Sequence, residues 1–239
     1  VILTLVNTQY NSFKNFFLLR YIYMKVKVNI PNTLNEITLG QYQKYLKIQD
    51  NNEDENFLAM KMIEIFCGLR GDTIYAMKAK SIKDITGVLT EMFNDKPTLV
   101  KKFKMNNIEY GFIPMLEDMS FGEYVDLDTY IGDFENIHRA MAVLYRPVKQ
   151  THKEKYLIED YIAADNDIMK DMPMDAVLSS ILFFYHLGID LSQVMLSYLQ
   201  QEGEMTLAQQ ETLAKNGAGI NQFSASLTEI LQDLKISLN

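Results

Sequence analysis

Apolar and polar residues alternate along Met24-Lys25-Val26-Lys27-Val28-Asn29-Ile30, a spacing that predicts a β-strand. Pro31 stops it, and Thr38 then stands three residues before Gln41, the spacing of a capping box that opens a helix. The same pattern returns further on. Ile30-Pro31 through Tyr42 matches Ile113-Pro114 through Tyr124, with Ser120 and Glu123 in the places of Thr38 and Gln41. Ala59-Met60 and Ala140-Met141 lie in a second predicted helix of each copy. A third helix is expected over Ser81 to Phe93 in the first copy and Pro173 to Leu187 in the second. Met77-Lys78 and Met169-Lys170 precede those helices at matching places, so the second copy carries an insertion from Arg146-Pro147 to Tyr156, where Pro147 ends a helix. A recurring unit of about 80 residues follows.

The expected fold is therefore mainly α with a small β-hairpin or sheet, built as two tandem, related three-helix units. Phe103 to Ile113 reads as a hairpin turning at Asn106-Asn107, and pairing with Val26 to Ile30 would give a sheet shared by the two copies. The expected organisation is an N-terminal extension at 1–24, a first unit at 25–102 and a second at 103–200, then a polar linker and a C-terminal helix at 201–239. Val1 to Tyr23 has no clean period. Polar residues from Asn7 to Asn15 break any signal-peptide core, and Met24 is expected to be the true start.

Composition narrows the classes. A formal net charge of −8 opposes non-specific nucleic-acid binding, which needs clustered excess Lys and Arg. The local exceptions, Lys78, Lys80 and Lys83 and then Lys101, Lys102 and Lys104, read as solvated charge. The single cysteine, Cys67, excludes an internal disulfide and sits in an apolar run that suggests a buried thiol. The best membrane candidate, Ala176 to Leu187, is shorter than a span requires, and no membrane role is expected.

No catalytic, cofactor-binding or metal motif emerges, and the chain is expected not to be an enzyme. His138, His152 and His186 lack metal-ligand spacing. Gly68-Leu69-Arg70-Gly71 lacks the Lys-Ser/Thr pair of a phosphate loop. Asp126 to Asp133 fails as a calcium loop because Tyr130 and Ile131 occupy positions that need a ligand and a glycine. Glu159, Asp160, Asp165, Asp167 and Asp171 form an acidic cluster with no nucleophile or base at a meaningful spacing.

Phe112-Ile113-Pro114-Met115-Leu116-Glu117-Asp118-Met119-Ser120-Phe121-Gly122-Glu123-Tyr124 onward to Tyr130, together with Ala140 to Pro147, resembles small proteins of uncultured tailed bacteriophages. The resemblance spans roughly Lys25 to Leu199. Among those proteins, tail assembly chaperones are similar in size, acidity and helicity. The resemblance implies a non-enzymatic helper in the cytoplasm of an infected bacterium, coating a tape-measure protein while the tail is built. It carries over no site residue. A structural virion component, such as a connector or packaged protein, is the alternative, and an enzyme acting on nucleic acid is a more remote one. Phage structural proteins are the implied partners, and the duplicated unit would suit oligomerisation.

Overall fold

The computed structural model describes residues 2–7, 22–153, 155–164, 166–201, 222 and 224–232. It divides into two units, Val1–Ile37 with Gln41–Asp95 and Thr38–Gly40 with Lys96–Asn239.

In the first unit, β1 (Ile2–Asn7) and β2 (Ile22–Lys27) form an antiparallel two-stranded sheet in which Leu5 faces Met24. The expected sheet shared with Phe103 to Ile113 is thus corrected, because the partner of this strand is β1. Four helices follow: α1 (Leu39–Gln49), α2 (Glu55–Cys67), α3 (Gly71–Tyr75) and α4 (Ala79–Met92). Asp54 caps α2 by accepting from the Asn56 and Phe57 amides (2.9 and 3.2 Å). Gly68 ends it at φ 66°, a left-handed turn that a Cβ disfavours. Tyr42, Tyr45, Phe66 and Phe93 form an aromatic cluster, with edge-on contacts of 5.2 Å for Tyr42–Phe93 and 5.3 Å for Phe66–Phe93. Cys67 is half-buried beside this cluster's helix, and burial pushes its thiol up to about 11, away from reactivity.

The second unit is where the expected fold class fails. It contains a four-stranded antiparallel sheet in the order β3-β4-β5-β6, so the architecture is mixed α and β rather than tandem three-helix units. The strands β3 (Lys102–Met105) and β4 (Ile108–Phe112) turn at Asn106 and Asn107, both at positive φ, as the sequence predicts. The other two strands come from the expected insertion. The helix α6 (Ile137–Leu144) runs straight into β5 (Tyr145–His152), which turns back as β6 (Lys155–Ile158). Pro147 does terminate helical structure, but the chain continues as a strand with Pro147 opposite Tyr110.

Facing the sheet is α7 (Met174–Gln201), preceded in the chain by α5 (Phe121–Tyr130) and α6. Its first turns bury Ala176, Val177, Leu178, Ser179, Ser180, Ile181 and Leu182 on every side. Phe112 of β4 meets Phe183 edge-on at 5.7 Å. The buried serines are satisfied: Ser179 receives the Val100 amide (3.1 Å) and donates to Ala176 O, and Ser180 donates to Val177 O (2.8 Å). Tyr145 donates its hydroxyl to Val100 O (2.8 Å), with Ala176 O 3.3 Å away. The 18-residue window Met174–Leu191, longer than the stretch Ala176 to Leu187, is apolar enough to cross a membrane, and 56% of it is buried within the protein. Helical residues 224–232 bury Leu227, Ile230 and Leu231 at the i, i+3, i+4 spacing of one face. Ser226 approaches Gly132, and Ser224 packs tightly on Gly188 of α7. Thr38–Gly40 also belongs here: Thr38 bridges to Pro173, and the Leu39 amide donates to Met172 O (3.0 Å).

Gly111 of β4 lies under the Tyr156 ring of β6. A Cβ there would stand 2.5 Å from the ring and 3.0 Å from Val148. The ring cannot swing away freely, since its hydroxyl donates to Phe112 O (2.7 Å). Gly111→Ala is therefore expected to destabilise the protein by about 1–3 kcal/mol through overpacking, read as a lower midpoint in chemical denaturation. An unchanged midpoint would show that Tyr156 has room to move.

Candidate binding groove

The helix α5 begins with a complete capping box. The Glu123 amide donates to Ser120 Oγ (3.3 Å), and the Ser120 amide donates to Glu123 Oε2 (2.6 Å). The other carboxylate oxygen, Oε1, accepts from Arg146 Nη1 of β5 at 2.5 Å. Both side chains are nearly enclosed, Glu123 at 9% exposure and Arg146 at 11%. Burial works against the Glu123 charge. The Ser120 backbone and side-chain hydrogen bonds and the Arg146 guanidinium overcome it and hold the carboxyl below its ordinary range. One residue thus caps a helix and ties that helix to the sheet.

Around this pair runs an open groove of about 1660 Å³. Its lining includes Leu99, Phe112, Ile113, Phe183 and Leu187, with Met115, Leu157 and Leu191 exposed along it. Apart from the Glu123–Arg146 pair, its charges are Glu117, Asp118, Asp126, Glu159 and Asp160 against Lys101 and Lys155. The groove is apolar within and acidic overall. The Tyr161 hydroxyl donates to Asp126 Oδ2 (2.7 Å), and burial together with that carboxylate pushes the phenol upward, so it stays protonated at neutral pH.

The features that drew attention in the sequence do not converge on chemistry. Asp126 and Asp128 lie on α5 rather than in a loop. Of the acidic cluster, Asp160 pairs with Lys149 (3.2 Å) and Asp167 with Lys170 (2.7 Å), while Asp165 lies outside the described residues. No group of three metal-ligating side chains occurs among the described residues. His152 and His186 are exposed. His138, at 3% exposure, lies inside α6 with its Nε2 3.5 Å from Asp167 Oδ1. Burial lowers its pKa, Lys170 and Arg139 add to that, and Asp167 opposes it. The sequence reading missed Arg146 and Tyr161. Arg146 stood only as the residue before a helix-stopping proline, and Tyr161 sat unremarked beside the acidic cluster. No protein-family model, curated protein or solved structure matches this chain.

Two outcomes follow. Glu123→Gln removes the charge opposite a nearly buried guanidinium and is expected to cost about 2–3 kcal/mol, read as lost unfolding free energy at neutral pH. An effect under about 0.5 kcal/mol, the range of neutral surface changes, would show that the pair is solvated. His138 takes its proton in the folded state at a lower pH than the 6.5 of the free group. The unfolded chain therefore binds more protons in the window just below that value, and stability falls as pH drops through it. The thermal midpoint is expected to fall more steeply from about pH 7 to 5.5 in the wild type than in His138→Gln. Parallel slopes would rule this out.

Proposed function

We propose that this chain is a non-enzymatic tail assembly chaperone of a tailed bacteriophage, acting in the cytoplasm of the infected cell. Its second unit would hold a basic amphipathic helix of the tape-measure protein in the groove. One observation carries the reading. The block Phe112 to Glu123 and Arg146, on which the phage resemblance rests, contributes a large part of the groove's lining. A helical client places an apolar stripe on such a floor, in the manner of other helix-in-groove complexes. The carboxylates Glu117, Asp118, Asp126, Glu159 and Asp160 favour Lys and Arg on the client's polar face. The chain's net charge of −8 adds a long-range pull of the same sign. Reversible coating also suits a groove that is open rather than closed, because the client must leave as the tail forms.

The test is co-expression with the tape-measure protein encoded in the same phage genome. The wild-type chain is expected to raise the soluble fraction of that protein. Met115→Glu combined with Leu191→Glu, both at exposed groove positions, is expected to reduce that effect roughly fivefold or more, as loss of an apolar anchor does, with an unchanged melting midpoint. Abundance in infected-cell lysate with absence from purified particles completes the expected result. A fixed copy number in purified particles would replace this reading with a structural virion role.

A further inference from the structure

Among the described residues, β6 is an edge of the four-stranded sheet: β5 lies on one side and no strand lies on the other. The Glu159 amide donates to Pro147 O (2.9 Å), toward β5. Backbone direction alternates along a strand, so Lys155 and Leu157 also turn their backbone groups to β5, while those of Tyr156 and Ile158 face outward. Edges of this kind invite another strand, and proteins usually blunt them with charge.

The residues along β6 are charge-complementary to themselves. An antiparallel copy set about a two-fold axis at Leu157 places Lys155 opposite Glu159 at both ends. Leu157, 62% exposed, faces its own counterpart. Tyr156 and Ile158 become the hydrogen-bonded pairs, which puts the outward amides and carbonyls of both strands in register. Leu157 is then a non-hydrogen-bonded pair, where opposing side chains approach most closely. Lys155, Leu157 and Glu159 share one face of the strand, so the two ion pairs flank the apolar contact. The opposite edge behaves differently. Set antiparallel on itself about Phe103, β3 brings Lys102 against Lys104 and repels its copy.

We propose that this chain forms a two-fold dimer through β6, joining two four-stranded sheets edge to edge, with a second copy of the chain as the occupant of that edge. The interface is isologous and closes on itself, so assembly stops at two. It draws on no property of the tape-measure client and holds whether or not that reading of function stands.

Sedimentation equilibrium of the full chain over a wide concentration range is the measurement. A monomer–dimer equilibrium is expected for the wild type. Lys155→Glu alone, and Glu159→Lys alone, each convert both ion pairs into like-charge pairs and are expected to weaken the dimer about tenfold or more. Combining the two substitutions in one chain restores opposite charges and wild-type affinity. Mixing the two single variants yields a heterodimer tighter than either homodimer, since each variant then meets its complement. Both positions altered by charge, Lys155 and Glu159, are exposed on the surface, and circular dichroism confirms that each variant keeps its fold. A wild-type chain that stays monomeric throughout, single variants that dimerise like the wild type, a double variant without rescue, or growth beyond two copies would each overturn the proposal.

Discussion

An apolar helix with no polar side has to be covered nearly all round, and in the second unit the first half of α7 sets that requirement. The sheet meets it with Phe112 and Tyr145, and α6 meets it with Met141, whose sulfur lies 3.3 Å from the Ser180 hydroxyl. Two serines inside that core would oppose burial if left unsatisfied. Both bond to helix carbonyls one turn back, and Ser179 also receives the Val100 amide. The segment before β3 is thereby fastened to α7 by the same groups that make the helix tolerable as a core element. Removing the sheet would expose apolar surface and take away the Tyr145 hydroxyl that bonds Val100 O, while both serines would keep their helix carbonyls.

The legible parts of this fold are those written in short-range patterns. The Asn106-Asn107 hairpin, the helix starting after Ser120 and the helices over 81–93 and 173–187 follow from turn chemistry, capping and periodicity. The sheet was hidden because its second half looks like an interruption. Tyr145 to Ile158 mixes a proline, three lysines and two short apolar stretches, and neither period dominates. Its strands are fixed by partners distant in the chain: Tyr110 opposite Pro147, and the Tyr156 hydroxyl on Phe112 O. The groove was equally hidden. Glu123 announced itself as a cap, but its second partner, Arg146, lies 23 residues away and is brought near only when α6 feeds directly into β5.

The electrostatics of the second unit separate structure from recognition. The enclosed Glu123–Arg146 ion pair joins α5 to β5 and is saturated by a capping box and a guanidinium. Of the groove's other carboxylates, Asp126 is tied to Tyr161 and Asp160 to Lys149, while Glu117, Asp118 and Glu159 sit where water reaches them and contribute a field. An acidic surface around an apolar floor discriminates by charge at long range and by shape at short range. β6 contributes to that groove while also ending the sheet, so a few residues answer to both surfaces.

The close packing of Tyr156 over Gly111 has an evolutionary consequence. The two positions lie 45 residues apart in the chain, yet they share one volume, and a side chain at either is set by the space left at the other. A larger residue at position 111 is accommodated best alongside a smaller one at 156, and the hydroxyl bonded to Phe112 O is then lost with the ring. Coupled variation at the two positions is the expected mark of this contact across β5 in diverged chains.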